Sequence, residues 1–272
     1  MNTIYLYFSD LHLEHYGKKK KEAVRFIMDE IVWFRENHPG KAIHVIAAGD
    51  ISIANKSYTH EFFDELCSLA DNVFYVFGNH EYYGGVYKSG IRDFKEKYAN
   101  GVGNLHVLQD DTVEYDDHVV IGSTLWTDYN GRDCTVMSAA STGMNDYKKI
   151  RLYKTKGTKL SPFDIVDDNM HSKNYIFSQT KKYSEKGKKV IVVTHHAPVC
   201  TGYHKEKQLL DYAYHNNFET KLAFDIAPDF WIFGHTHQKF NQDVGDSKIL
   251  SNALGYPDQL EEDEKYLAYF EV

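Results

Sequence analysis

Five short blocks along the chain combine Asp, Asn and His side chains at spacings that could hold metal ions. In chain order they read Ser9-Asp10-Leu11-His12, Ala48-Gly49-Asp50, Gly78-Asn79-His80-Glu81, Thr194-His195-His196-Ala197-Pro198 and Gly234-His235-Thr236-His237. Carboxylate oxygen and imidazole nitrogen suit Mn, Fe or Zn, whereas a thiolate site would need Cys, which the blocks lack. The residue types therefore indicate metal binding.

The spacing within the blocks suits a pair of ions. Asp10 and His12 are separated by one residue, as are His235 and His237. In an extended segment this spacing places both side chains on one face, where both reach one ion. The two oxygens of Asp50 can bridge two ions. Ions roughly 3.5–4 Å apart hold the attacking and leaving oxygens of a displacement at phosphorus, and they lower the pKa of bound water to about 7.

Each block follows a short apolar run that is typical of a β-strand. These runs cover residues 4–8, 43–47, 73–77, 190–193 and 230–233. In an α/β protein, ligand sites form beyond the carboxyl ends of the strands. Residues spread along the chain can therefore meet at one edge. Apolar stripes at helical spacing predict helices through residues 20–37, ended by Pro39-Gly40, and between the second and third blocks. Residues 113–115, 119–121, 248–250 and 267–270 are expected to form strands of a second sheet.

The five blocks, in this order and each after a strand, resemble the calcineurin-like metallophosphoesterase superfamily, over residues 4 to about 255. The resemblance implies an α/β fold in which two mixed β-sheets pack face to face with helices on the outside, a four-layer sandwich, as a single domain over residues 1–272. It also implies two divalent ions, of which Mn is favoured and Fe or Zn remain open. The implied ligands are Asp10, His12 and His237 for the first ion, Asn79, His195 and His235 for the second, and Asp50 between them.

The same resemblance assigns the chemistry around the ions. A metal-bridging hydroxide would attack phosphorus in line, and His80 would act as proton donor or charge stabiliser. Glu81 is expected to hydrogen-bond the other ring nitrogen of His80 and so fix its tautomer. Asp50, His80 and Glu81 are thus the catalytic candidates. The doublet His195-His196 leaves the register of the ligand open; His195 is favoured because it directly follows the strand, and His196 becomes a substrate-binding candidate.

Residues 126–178 fit the framework least and are interpreted as an insertion that covers the active site. The strings LWTDY and MNDYKKIR with a later His resemble a subgroup of bacterial and phage phosphoesterases. Arg151 and His171 are candidates for phosphate or leaving-group contacts, because a guanidinium pairs well with phosphate oxygens. The alternatives are that Arg151 makes a surface ion pair and that His171 caps a helix.

Composition narrows the function classes. The 272 residues are 42% hydrophobic, which is typical of a globular protein. No apolar run approaches the roughly 20 residues that span a bilayer, and the first strand leaves no room for a signal peptide. Three unpaired-looking cysteines favour reduced thiols, so we expect a cytoplasmic protein without membrane association. The net charge of −8 favours a small phosphate ester or phosphoprotein substrate over long duplex nucleic acid.

The sequence therefore predicts a metal-dependent phosphoesterase, either a phosphatase or a phosphodiesterase. One alternative is a nuclease of the same superfamily. Such chains usually carry another acidic residue after the second block and a long extra domain, whereas this chain continues Ile51-Ser52-Ile53-Ala54. The other alternative is a non-catalytic metal-binding scaffold, which usually loses ligands; here the implied ligands and His80 are all present.

Overall fold

Two β-sheets form the centre of the protein, in a computed structural model that describes residues 3–98, 103–153, 157–202, 208–260 and 265–272. The first sheet has five strands in the order β11-β1-β2-β3-β4, and the second has six in the order β5-β6-β7-β8-β10-β9. The strands are β1 (Thr3–Phe8), β2 (Ala42–Ala47), β3 (Asn72–Val76), β4 (Leu105–Leu108), β5 (Asp111–Glu114), β6 (His118–Ser123), β7 (Lys189–Thr194), β8 (Phe230–Phe233), β9 (Lys239–Val244), β10 (Ser247–Asn252) and β11 (Ala268–Glu271).

Helices cover the outer faces of both sheets. They are α1 (Lys20–Asn37), α2 (Ser57–Leu69), α3 (Ser89–Tyr98), α4 (Tyr129–Arg132), α5 (Cys134–Gly143), α6 (Asp146–Lys149), α7 (Pro162–Ser184) and α8 (Glu219–Phe224). The apolar stripe of α1 begins and ends where its spacing predicts, and its buried Ile27 and Ile31 pack in one cluster with Leu6 of β1. On the other side, Ile176 of α7 packs with Val192 of β7.

The two inner sheet faces pack against each other. Tyr5 and Phe74 from the first sheet share a buried cluster with Ile191 and Ile232 from the second. Alternate residues of each strand thus face either this central core or the helices, as the period of two in a strand requires. The predicted arrangement of two mixed sheets between helical layers is confirmed.

Parallel pairing places the loops of the five blocks at one edge. β1 is parallel to β2, and β2 is parallel to β3. In the second sheet, β7 is parallel to β8. The residues that follow these strands therefore leave both sheets in a common direction, which is the arrangement expected from the sequence.

One predicted strand lies in the other sheet. Residues 267–270 were expected in the second sheet, but β11 pairs antiparallel with β1 of the first. Tyr5 and Phe270 are register partners, and their rings stack with centroids 5.3 Å apart. β11 covers an otherwise open edge of β1 and buries Phe270, while Tyr269 and Glu271 stay exposed. An apolar pattern alone could not specify this pairing.

Candidate metal centre

Of three candidate groups of metal-ligating side chains among the described residues, two lie side by side at the edge of the sheets, and the third is His12, Glu14, His15 and His80. The first group is Asp10, His12 and His237, and the second is Asp50, His195 and His235. Within each group the candidate ligand atoms lie within 4.8 Å of one another. The Nε2 atoms of His12 and His237 are 3.0 Å apart, so both rings point at one position. These six residues come from four loops, after β1, β2, β7 and β8.

The carboxylate of Asp50 faces both groups. Its Oδ2 lies 3.8 Å from Nε2 of His12, and its Oδ1 lies 3.5 Å from Nε2 of His195. The backbone N–H of His80 donates to Oδ1 at 2.8 Å and fixes the carboxylate plane. Burial disfavours the charge, but His195, His80 and His12 outweigh it and hold the pKa of Asp50 well below its usual value. The group is therefore an anion with one oxygen toward each cluster.

Asn79 adds an amide oxygen to the second group. Its Oδ1 lies 3.2 Å from Nε2 of His195. The other ring nitrogen of His195 donates to the carbonyl of Ala48 at 2.9 Å, which aims Nε2 at Asn79 and Asp50. His195 itself is fully buried. Burial lowers its pKa, but Asp50 raises it to about 10, so the surroundings favour positive charge at this point.

His235 has a buried ring nitrogen that is available to a metal ion. Its Nε2 is buried and has no hydrogen-bond partner among the described residues. Burial holds the pKa of the ring well below the usual value, with smaller contributions from His196 and His195. A neutral imidazole with an unpartnered buried nitrogen suits metal ligation, whereas an empty hydrogen-bonding position would cost about 1–3 kcal/mol. The donor set therefore fits a pair of divalent transition-metal ions.

Most of these ligands have an unusual backbone conformation. Positive φ angles occur at Asp10 (56°), His12 (50°), Asp50 (52°), His235 (70°) and His237 (51°). This region costs non-glycine residues roughly 1–3 kcal/mol each and persists where the surroundings enforce it, which is common at functional sites. The backbone conformation also positions the Asp10 carboxylate, because the backbone N–H of His235 donates to both of its oxygens at 3.0 Å. The loops are shaped for ligand placement.

Two glycines make room for the ligands. A Cβ on Gly78 would lie 2.1 Å from Oδ1 of Asp50, and one on Gly49 would lie 2.4 Å from Nδ1 of His195. Gly49 also has φ of 87°, which side chains rarely adopt. Both glycines of the GD and GNH blocks are thus explained by close approach to a ligand.

The partner of His80 differs from the prediction. Nδ1 of His80 donates to Oε1 of Glu14 at 2.7 Å, and Glu14 also accepts from Nδ1 of His12 at 3.4 Å. Burial raises the pKa of Glu14, but the two imidazoles outweigh it and lower the pKa to about 2. Burial lowers the pKa of His80, while Asp50 and Glu14 raise it above its usual value. Nε2 of His80 faces Oδ2 of Asp50 at 4.0 Å.

Glu81 is not the residue that fixes the His80 tautomer, and that prediction is wrong. Its buried carboxylate accepts hydrogen bonds from backbone N–H groups of Asp50, Ile51 and Gly78 at 2.8–3.0 Å, and from the hydroxyl of Tyr75 at 2.8 Å. Burial and the charge of Asp50 raise the pKa of Glu81 to about 8. With both oxygens occupied, Glu81 joins the second and third loops and acts as a support for Asp50.

The clusters open into a small cavity of about 210 Å³. Ligand residues form its floor, and Tyr83, Tyr214, Tyr256, Met144 and Asn145 contribute to its walls. The last two belong to the 126–178 segment, of which residues 154–156 lie outside the described part of the chain. This segment therefore reaches the site, although its assignment as an insertion in a single domain stays a prediction.

The three substrate-binding candidates lie elsewhere. Arg151 is exposed, and its guanidinium donates to the carbonyls of Gly84 at 3.2 Å and Gly85 at 3.4 Å. His171 is an exposed residue of α7 with Asp110 at 3.7 Å. His196 is fully buried, its ring packed 4.1 Å from the ring of His235. Within the described residues none of the three lines the cavity, so these predictions are not supported by the structure.

The structure also adds residues that the sequence did not point out. Gln259 accepts from Nδ1 of His237 at 2.8 Å and leaves Nε2 facing the first group. Asp146 accepts from the Nδ2 amide of Asn79 at 2.8 Å. Glu14 could have been found, since it stands two residues after His12 just as His12 stands two residues after Asp10. No pattern in the sequence connects Gln259 or Asp146 to the blocks.

Comparison with known proteins agrees with this geometry. The sequence model of calcineurin-like phosphoesterases matches residues 5–239. An uncharacterized protein of Acanthamoeba polyphaga mimivirus is 30% identical, covering 98% of this chain and 95% of its own length. Phosphopantetheinyl hydrolase from Mycobacterium tuberculosis has a similar fold, with a TM-score of 0.71, 12% identity and coverage of 99% of this chain and 96% of its own.

The chain belongs to the calcineurin-like phosphoesterase family. The resemblance seen in the five blocks is thereby confirmed, and the chain is a phosphoesterase-type hydrolase. A protein of Thermus thermophilus also shares the fold, with a TM-score of 0.50, 12% identity and coverage of 92% of this chain and 89% of its own. No helix among the described residues has the length and apolar character needed to cross a membrane.

Proposed function

We propose that this protein is a phosphoester hydrolase that works with two divalent metal ions, and that His80 assists the leaving group. The observation that carries the proposal is the Asp50 carboxylate, which presents one oxygen to each of two ligand clusters. A buried anion between two imidazole-rich groups suits two cations far better than it suits a packed core.

Each residue then has a defined task. Asp10, His12 and His237 hold the first ion, Asn79, His195 and His235 hold the second, and Asp50 is shared. When bound, the ions polarise phosphate oxygens and lower the pKa of a bound water to about 7. We favour Mn, and carboxylate with imidazole also suits Fe or Zn.

His80 is placed for proton transfer. Glu14 accepts a hydrogen bond from Nδ1–H of His80, so Nε2 is directed toward the Asp50 side of the cavity. Asp50 and Glu14 raise the pKa of the ring above its usual value, which favours the protonated form relative to a free imidazole. A protonated imidazole there can donate to the departing oxygen or stabilise its charge.

The cavity of about 210 Å³ favours a small phosphate ester or an exposed phosphorylated side chain as the substrate. Three tyrosine side chains in its walls offer aromatic surface to the ester group. Long duplex nucleic acid and membranes remain unexpected, given the net charge of −8.

The test is a hydrolysis assay with p-nitrophenyl phosphate and its bis-ester, in buffers that contain Mn²⁺ or a chelator. The proposal expects activity that the chelator abolishes and that added Mn²⁺ restores. Asp50→Ala should be inactive, while the matched exposed variant Asp243→Ala on β9 should keep full activity. Activity that persists in chelator or in Asp50→Ala would refute a metal-dependent hydrolase. Cleavage of single-stranded DNA at moderate salt, faster than that of either aryl ester, would favour the nuclease.

A further inference from the structure

Asp146 connects the 126–178 segment to the metal centre. It is the first residue of α6 and is 2% exposed. Its Oδ1 accepts two hydrogen bonds of 2.8 Å, one from Nδ2 of Asn79 and one from the hydroxyl of Tyr83. Both donors come from the loop that follows β3, so one carboxylate of the segment holds this loop, and Asp146 lines the same cavity as the ligands Asp50 and His235.

The contact determines which end of the Asn79 amide faces the second ligand group. An amide has a donor nitrogen and an acceptor oxygen, and only the oxygen suits a divalent cation. Nδ2 of Asn79 donates to Oδ1 of Asp146, so the nitrogen end of the amide faces Asp146. The oxygen is thereby turned toward His195, 3.2 Å from Nε2. A flipped amide would place two acceptor oxygens against each other at the Asp146 side.

The same carboxylate also acts on the surroundings of His80. The ring of Tyr83 lies with its centroid 4.2 Å from that of His80. Because the Tyr83 hydroxyl is bonded to Asp146, the plane that packs against His80 is fixed from the same point. Asn79 is further tied to this arrangement, since its Nδ2 lies 3.2 Å from the Tyr83 hydroxyl.

We propose that Asp146 is a positioning residue that orients the Asn79 amide for the second metal ion, so that the 126–178 segment completes the metal centre rather than only covering it. The inference rests on the proposed two-ion function. Hydrogen-bonded partners behind a metal ligand commonly contribute 10–100-fold to metal affinity. The loss of Asp146 should therefore appear at one ion and not at the other.

The test measures metal binding rather than turnover. Metal-stripped wild type, Asp146→Leu and Asp146→Asn are titrated with Mn²⁺ in a calorimeter, and crystals soaked in Mn²⁺ show by anomalous scattering which position is filled. Asp146→Leu should bind the second ion roughly 10–100-fold more weakly and the first ion normally. Asp146→Asn should stay within a few-fold of wild type, because its amide oxygen still accepts both hydrogen bonds.

Asp168→Leu is the matched control. Asp168 also lies in the 126–178 segment and also accepts from a tyrosine, Tyr87, at 2.5 Å, and from Lys88 at 2.7 Å. Asp168 is not among the described residues that line the cavity of the metal centre. Its variant should bind both ions normally. Tyr83→Phe, which keeps the bond between Asn79 and Asp146, should weaken binding of the second ion less than Asp146→Leu does.

Two results would overturn the inference. One is normal binding of both ions by Asp146→Leu. The other is an equal loss of both ions in Asp146→Leu, which would show that the carboxylate supports the fold as a whole. Failure of the wild type to bind a pair of ions would instead refute the proposed function, so the two failures are distinguishable.

Discussion

His80 illustrates how much depends on single side chains in this site. Its Nδ1 is held by Glu14 at 2.7 Å, and its ring is buried beside Asp50. His80→Ala removes a proton donor but no proposed metal ligand. We therefore expect both ions to remain and the rate to fall roughly 10²–10⁴-fold. The loss should be largest for alkyl phosphates and smallest for nitrophenyl esters, whose leaving group needs little protonation.

Metal analysis beside this leaving-group series checks the prediction. If His80 were itself a ligand, His80→Ala would lose metal and all substrates would slow together. A loss of rate that is the same for alkyl and nitrophenyl esters, with both ions retained, would contradict the role in leaving-group protonation.

Glu14 should act through His80. Glu14→Gln keeps the shape but weakens a charge-assisted hydrogen bond, so the rate should fall by about 10-fold or more. In the double variant with His80→Ala, the second change should add little, because residues that act as a unit are not additive. A double-mutant cycle on kcat measures this coupling. Fully additive losses would mean that Glu14 acts mainly through His12, its other imidazole partner.

At the scale of the elements, the loops depend on close backbone approach. Gly78→Ala would place a Cβ 2.1 Å from Oδ1 of Asp50, so the carboxylate or the loop has to move. We expect destabilisation of about 1–3 kcal/mol and weaker metal binding. Gly103→Ala, where a Cβ meets no atom of the described residues within 4 Å, is the matched control and should behave as wild type. Chemical denaturation and metal titration of both variants provide the measurement. Equal stability and equal metal affinity in Gly78→Ala and Gly103→Ala would contradict a requirement for close approach at Gly78.

The strand ends could be predicted from the sequence, because an apolar run followed by a polar block is a local signal. Sheet membership of residues 267–270 could not, since pairing of β11 with β1 depends on contacts such as the stack of Tyr5 on Phe270. The prediction that Glu81 hydrogen-bonds His80 is wrong for a related reason. Glu81 is adjacent in sequence, but the 3₁₀ turn at His80–Tyr82 directs its carboxylate toward backbone N–H groups.

At the scale of the whole molecule, the central core contains a histidine whose charge opposes folding. His44 is 4% exposed between the sheets, near Tyr5 and Phe74. Burial, helped by His118, lowers its pKa from 6.5 to about 4. Below pH 6.5 the unfolded chain binds a proton at His44 that the folded chain does not bind. The free energy of unfolding therefore has its full value above pH 6.5 and decreases as the pH falls toward 4.

The loss amounts to at most about 3 kcal/mol. His44→Phe should therefore lose less stability than the wild type between about pH 7 and about pH 4.5. Urea unfolding of both metal-stripped proteins at the two pH values tests this, because the metal ligands titrate alike in both. If both proteins lost the same free energy of unfolding between the two pH values, protonation of His44 would not be the cause of the loss.

The 126–178 segment marks the limit of what the sequence discloses. The guanidinium of Arg151 suits phosphate, yet it donates hydrogen bonds to the carbonyls of Gly84 and Gly85. Asp146, five residues earlier, reaches Asn79 instead. The family blocks define the ligands because they lie on strand ends, whereas the direction of side chains on short helices between them depends on tertiary packing.

Asp50 is proposed to lie between two metal ions, and anomalous diffraction from crystals grown with Mn²⁺ tests this arrangement. Two anomalous peaks roughly 3.5–4 Å apart are expected. One should lie among Asp10, His12 and His237 and the other among Asn79, His195 and His235, with one oxygen of Asp50 on each. A single peak, or peaks that remain in place in Asp50→Ala, would contradict it.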